Sequence, residues 1–159
     1  MTLRGLYIVT PDQADTGALL DAVAQVLPAR PAIVQYRSKL VDADLRRLQA
    51  VQLLALCRQS GIPLVINDDL ALALEIDADG AHLGRDDGDL AGARRALGAS
   101  RILGASCYGE WWRAAAAAAA GVDYLAFGAM FPSSTKPLAP LAPLEMLTRA
   151  KAEFGLPVA

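Results

Sequence analysis

Short apolar runs rich in β-branched and aromatic residues alternate along the chain with longer stretches whose apolar positions recur every three to four residues. Leu6-Tyr7-Ile8-Val9 reads as a first strand, and Asp15 to Leu27 places Leu19, Leu20, Val23 and Val26 at helical spacing. Ala32 to Tyr36 predicts a second strand. Asp42 to Ser60, with Leu45, Leu48, Val51, Gln52, Leu54 and Ala55 as its inner face, predicts an amphipathic helix closed by Gly61. Pro63 to Asn67 is a continuous apolar run of the kind buried on both faces, followed by a helix over 70–75 and a fourth strand, Gly80 to Leu83. A helix over 89–97, a strand over 101–105, an alanine-rich helix over 109–120 stopped by Gly121, a strand over 122–127 and a helix over 144–154 continue the series. Leu156 to Ala159 has the character of the opening of a seventh strand.

Strict alternation of strand and helix implies an α/β fold of parallel strands with right-handed crossovers, either an open doubly wound sheet or a closed eight-stranded barrel. The 159 residues suit one domain, 1–159, and fall short of a complete barrel. Polar residues nevertheless gather just past the carboxyl ends of the strands, after Val9, Val34, Ile66, Leu83, Ala105 and Phe127, where barrel enzymes assemble their sites. An open sheet would concentrate them at one switch point.

Charge and composition narrow the partners. Fifteen basic against seventeen acidic residues offer no electrostatic footprint for nucleic acid or an anionic membrane. The longest alanine-dominated stretch, 114–120 with its flanks, is far shorter than a membrane span needs. Two cysteines, Cys57 and Cys107, without metal-ligand spacing and without a secretory leader, fit a reducing cytoplasm.

Four segments carry more chemistry than a fold requires. In Gln35-Tyr36-Arg37-Ser38-Lys39, strand alternation would point Gln35, Arg37 and Lys39 the same way, a pair of cations and an amide suited to a polyanion; solvated loop charges are the plain alternative. Asn67-Asp68-Asp69 and Gly84-Arg85-Asp86-Asp87 follow adjacent strands, and carboxylates from two strand ends can share a Mg²⁺ with substrate phosphates and water. Asp69 equally suits the cap of the helix beginning near Leu70, and Asp86 or Asp87 the cap of the next one. In the fourth segment, Phe127 to Pro137, Gly128 permits a tight exit and Pro132 stiffens the loop. Ser133, Ser134 and Thr135 there offer donors to a phosphate, and Lys136 adds charge. Ser106 by itself is a turn residue after a strand end. His82 in its short apolar strand is a core histidine rather than a ligand, Trp111 and Trp112 are packing or surface residues, and Cys107 has no histidine base beside it.

Taken together, "GLYIVTPD", "VQYRSK", "INDDLALALEIDADGAHLGRDD", "LGASCY" and "GVDYLAFGAMFPSSTKP" resemble the thiamine phosphate synthase family, in order, from residue 5 to about 159. The resemblance implies a TIM (β/α)8 barrel that joins 4-amino-5-hydroxymethyl-2-methylpyrimidine diphosphate to 4-methyl-5-(2-phosphoethyl)thiazole. It implies further that Gln35, Arg37, Lys39, Asn67, Ser106 and Lys136, with Tyr36 and Ser38 in the same run, bind the pyrimidine diphosphate. Asp68 and Asp87 would hold Mg²⁺, and Ser133, Ser134 and Thr135 the thiazole phosphate. Arg37, Lys39 and Lys136 would stabilise the departing diphosphate, so that no protein nucleophile is needed.

Arg85 stands where the family more often has glutamine, and the chain ends where the family continues into a seventh strand, a glycine-rich loop and an eighth strand. We therefore expect about six βα units and the start of a seventh strand, with the outer edges of the first and sixth strands available for self-association. Weak binding of the thiazole phosphate beside retained Mg²⁺-dependent binding of the diphosphate is the corresponding expectation for ligands. The thiazole tautomerase relatives of the same fold rely on a histidine where Tyr108 stands here. An inactive binder of phosphate ligands is the remaining alternative.

Overall fold

The computed structural model describes residues 3–131 and 141–159, which form two compact units, 1–82 and 83–159. In the first unit, β1 (Tyr7–Val9), β2 (Ile33–Tyr36), β3 (Leu64–Asn67) and β4 (Gly80–Leu83) are joined by α1 (Thr16–Val26), a 3-10 turn (Leu27–Ala29), α2 (Ala43–Gln59) and α3 (Leu70–Glu75). All pairings are parallel and sequential, with Tyr7 opposite Ile33, Val34 opposite Leu64 and Val65 opposite Gly80. Each helix begins at an aspartate. Asp15, Asp42 and Asp69 accept from Ala18 N, Leu45 N and Leu72 N at 3.0, 2.9 and 2.8 Å, satisfying backbone donors that the first turn leaves without partners. Asp69 thus has the capping role open to it from sequence.

Ile33, Val34, Leu64, Val65 and Ile66 are buried in the core of this unit with Leu53, Leu54 and Cys57 from α2. The face that α2 buries differs from the expected one. Gln49, Ala50, Leu53, Leu54 and Cys57 point inward, while Leu48 and Val51 are exposed. Gln49 is fully sheltered because its polar atoms are used: Oε1 accepts from Tyr36 Oη at 2.7 Å and Nε2 donates to Gln13 O at 2.9 Å.

The second unit contains α4 (Leu90–Leu97), β5 (Ile102–Tyr108), α5 (Trp111–Ala119), β6 (Tyr124–Phe127) and α6 (Glu145–Phe154). The cap of α4 is Asp89, which accepts from Ala91 N and Gly92 N, and not Asp86 or Asp87 as the sequence suggested. Gly88, at a φ of 107°, turns the chain so that Asp89 directly precedes the helix. β5 runs three residues past its expected end, through a register shift between Ser106 and Tyr108, so Ser106 lies within the strand rather than after it. β6 pairs parallel with β5, Gly104 opposite Tyr124. The other edge of β6 is met by the chain's final residues: Leu125 N donates to Pro157 O at 3.0 Å and Ala159 N to Leu125 O at 2.9 Å, forming an isolated parallel bridge. Trp111 stacks on Phe154 at 5.2 Å and carries the Arg149 guanidinium 3.7 Å above its ring, whereas Trp112 is exposed.

The two units repeat one device. Asp79, just before β4, accepts from Leu64 N of the preceding strand at 2.9 Å, and Asp123, just before β6, accepts from Leu103 N at 2.7 Å. Each carboxylate also has an arginine, Arg58 at 3.8 Å from Asp79 and Arg94 at 2.5 Å from Asp123. These clamps sit at the amino ends of the strands, which leaves the carboxyl ends to carry chemistry.

Candidate active site

The carboxyl ends of β2 and β3 frame a cleft of about 320 Å3 lined by Tyr36, Ser38, Lys39, Arg46, Ile66, Asn67, Asp68 and Asp69. β2 ends at Tyr36, so strand alternation does not govern the residues beyond it, and Gln35, Arg37 and Lys39 have separate surroundings. Gln35 is buried and donates from Nε2 to Tyr7 Oη at 2.6 Å. Arg37 pairs through Nη1 with Asp12 Oδ2 at 2.9 Å, and its backbone exchanges hydrogen bonds with the Thr10 hydroxyl. Lys39 reaches instead toward Asp68, with Nζ 3.9 Å from Oδ2.

Tyr36 and Ser38 form the inner wall. The Tyr36 hydroxyl donates to Gln49, and burial raises its pKa above the ordinary tyrosine value. Ser38 Oγ lies beside that hydroxyl and offsets part of the rise, but the contact lacks hydrogen-bond geometry, leaving Oγ sheltered and without a partner. Asp68 follows β3 in the left-handed region, φ 62°, with its N–H donating to His82 O at 2.8 Å. A non-glycine residue held there is conformationally costly, and such strain collects at functional positions. His82 itself is buried in β4.

In the second unit, Asp87 Oδ2 accepts from Gly84 N at 2.6 Å. Ser106 O accepts from Arg113 Nε at 2.8 Å, and Tyr108, at a φ of 55°, has the guanidinium groups of Arg85 and Arg113 5.1 and 5.7 Å from its ring centre. Arg85 also pairs with Glu110. The thiols of Cys57 and Cys107 are buried and pushed up to about 11, so neither is a nucleophile at neutral pH. Ser133, Ser134, Thr135 and Lys136 lie outside the described residues.

A family model described as thiamine monophosphate synthase matches residues 6–159. The chain belongs to the thiamine-phosphate synthase family. It is 59% identical over 157 residues to the thiamine-phosphate synthase of Aromatoleum aromaticum, covering 99% of this chain and 76% of that one. Identity to the Azoarcus sp. thiamine-phosphate synthase is 62% over 158 residues, again 99% of this chain and 76% of the relative. Among solved structures, a thiamine phosphate pyrophosphorylase from Pyrococcus furiosus matches at a TM-score of 0.82 and 27% identity, covering 97% of this chain and 72% of that one. A 3-keto-L-gulonate-6-phosphate decarboxylase from Vibrio cholerae matches at 0.68 and 16%, covering 99% and 78%, a likeness of fold alone.

Family membership makes this chain a transferase that forms thiamine phosphate, on a parallel TIM-like α/β fold. Two residues at or beside the cleft were not singled out from sequence. Asp12, in the quoted "GLYIVTPD", braces the following strand's loop by accepting from Arg37 and from Lys39 N, the latter at 2.5 Å. Its signal was an aspartate just past a strand end. Arg46, in the first turn of α2, lines the cleft with Nε sheltered and unpartnered. Its signal was a cation at a helix start, where the helix dipole disfavours one. No described helix is long and apolar enough to cross a membrane.

Proposed function

We propose that this chain condenses 4-amino-5-hydroxymethyl-2-methylpyrimidine diphosphate with 4-methyl-5-(2-phosphoethyl)thiazole, giving thiamine phosphate and diphosphate, in the cytoplasm. The observation that carries the substrate assignment is the cleft beyond β2 and β3. Lys39, Arg46, the Ser38 hydroxyl and Asn67 surround a volume suited to a diphosphate, with the Asp68 carboxylate at its edge. Gln35, Arg37, Ser106 and Lys136 are further proposed contacts of the pyrimidine diphosphate, and Tyr36 shapes the wall. Ser133, Ser134 and Thr135 are proposed for the thiazole phosphate. We further propose that the fold is that of the (β/α)8 barrel family, with Pro157 to Ala159 beside β6 opening a seventh strand, and that strand edges support self-association.

Asp68 suits a hard divalent cation. It presents carboxylate oxygens at a strand end, and Lys39 Nζ already places positive charge 3.9 Å from one of them. Asp68 and Asp87 are each proposed as ligands of Mg²⁺, which when bound would neutralise charge on the leaving diphosphate. The chain's own residues do the rest. The bond between the pyrimidine methylene carbon and the diphosphate oxygen breaks with its electron pair passing to oxygen, where Lys39, Arg37 and Lys136 offset the charge. The aminopyrimidine supports the cationic methylene until the thiazole nitrogen attacks it. No proton leaves a protein nucleophile, in keeping with thiols that are both buried and protonated.

The test is incubation with both substrates and Mg²⁺, following thiamine phosphate and diphosphate together. Equimolar appearance of the two, abolished by omitting either substrate, is expected. Conversion of a thiazole carboxylate phosphate alone, without condensation, would assign the chain to the tautomerase relatives instead.

A further inference from the structure

Arg46 has hydrogen-bonding capacity that nothing among the described residues uses. Its Nη2 donates to Val41 O at 3.2 Å, tethering the loop after β2, while Nε is sheltered from solvent with no acceptor. The guanidinium makes no ion pair with any described residue. A sheltered donor without an acceptor has given up its water without a replacement, which disfavours the unliganded arrangement. Ser38 Oγ, lining the same cleft, is unpartnered in the same way. Both groups belong to residues that line one cleft, together with the Lys39 ammonium and the carboxylates of Asp68 and Asp69, so an acceptor-rich anion on the side of Lys39 and Arg46 would supply the acceptors they lack.

We propose that Arg46 is a phosphoryl-binding residue of the substrate diphosphate. A small rotation of the guanidinium, with Nη2 released or retained on Val41 O, presents Nε–H and an Nη–H to two oxygens of one phosphoryl group. That is the fork geometry in which arginine surpasses lysine. Ser38 donates its hydroxyl proton to the same group. The proposal rests on the diphosphate reading of the cleft and adds to it a residue from α2.

The experiment titrates inorganic pyrophosphate in MgCl2 by calorimetry into the intact protein and into Arg46→Gln, Arg46→Lys and Lys39→Gln. Loss of one charge-assisted, bidentate contact is expected to weaken binding roughly 10- to 100-fold in Arg46→Gln, with Arg46→Lys recovering only part. Thermal unfolding without ligand is run in parallel. A loop-tethering role alone would lower the midpoint while leaving pyrophosphate affinity unchanged, and that result overturns the proposal. Absence of binding by the intact protein would instead overturn the diphosphate reading itself. Binding that is lost in Lys39→Gln but intact in Arg46→Gln would remove Arg46 alone. Should Arg46→Gln fail to fold, the Arg46 Nε–H resonance of the intact protein, assigned with Arg46→Lys, decides the matter: it shifts on adding pyrophosphate if Arg46 is a ligand and stays in place if it is not.

Discussion

Replacing Asp12 by asparagine removes one charge from the brace of the cleft loop while leaving its shape nearly intact. In the wild type, Oδ2 accepts from Arg37 Nη1 at 2.9 Å and Oδ1 from Lys39 N at 2.5 Å. The Arg37 and Asp12 side chains keep 30% and 26% of their exposure, so solvent screens the ion pair well below a buried value. With the charge-assisted amide bond included, we expect Asp12→Asn to cost about 1–2 kcal/mol at neutral pH, or roughly 2–8 °C in Tm for a chain of this size. The effect has a pH signature. The Lys39 amide, followed by the Arg37 guanidinium, holds the Asp12 carboxyl below its ordinary 3.8 despite an opposing contribution from burial. A carboxyl depressed on folding contributes stability that is complete above the unfolded value and is lost as pH falls through the lower folded value. The gap between wild type and Asp12→Asn is therefore constant from neutral pH down to about 5 and closes in acid below about 4. Urea denaturation of both proteins across this range measures it. A gap independent of pH, or one that widens on acidification, would show that hydrogen-bond shape rather than charge holds the loop.

Further outcomes follow from other features. A Cβ at Gly104 would lie 2.0 Å from Tyr124 Cζ, so Gly104→Ala should cost more than about 2 kcal/mol or prevent folding, and Tyr124→Ala in the same chain should restore part of the loss. Arg94 donates to the carbonyls of Gly121, Gly98 and Arg101 at 2.9, 2.7 and 2.9 Å and to Asp123, so Arg94→Ala should lose about 2–3 kcal/mol in chemical denaturation, with Arg94→Lys rescuing little. Because burial pushes both thiols up to about 11, Cys57 and Cys107 should react slowly with a disulfide reagent in the folded protein and rapidly once it is unfolded; rapid reaction in the folded state would contradict their placement.

The order and type of the elements could be read from sequence because hydrophobic period, aspartate caps and terminal glycines agree locally. α3 and β4 have the bounds expected for them, residues 70–75 and 80–83. Three features could not be read, each for a non-local reason. The inner face of α2 depends on Gln49, whose burial is made tolerable by Tyr36 and Gln13 from elsewhere in the unit. The extension of β5 through Tyr108 depends on pairing with β6 across a bulge. The divergence of Arg37 from Lys39 depends on Asp12, 25 and 27 residues away in sequence. In the site, Lys39, Asn67 and Asp68 were recognisable as polar residues at or just past strand ends and do share a cleft. Arg46 was hidden because, in a helix sequence, an arginine beside another arginine reads as a solvated face.

The central claim, that the cleft beyond β2 and β3 receives the diphosphate, is tested most directly by a crystal structure of the protein with Mg²⁺ and pyrophosphate. We predict pyrophosphate in contact with Lys39, Asn67 and Arg46, and a metal ion on an Asp68 oxygen. Pyrophosphate ordered elsewhere on the protein, with this cleft holding only water and Asp68 carrying no metal, would contradict the account.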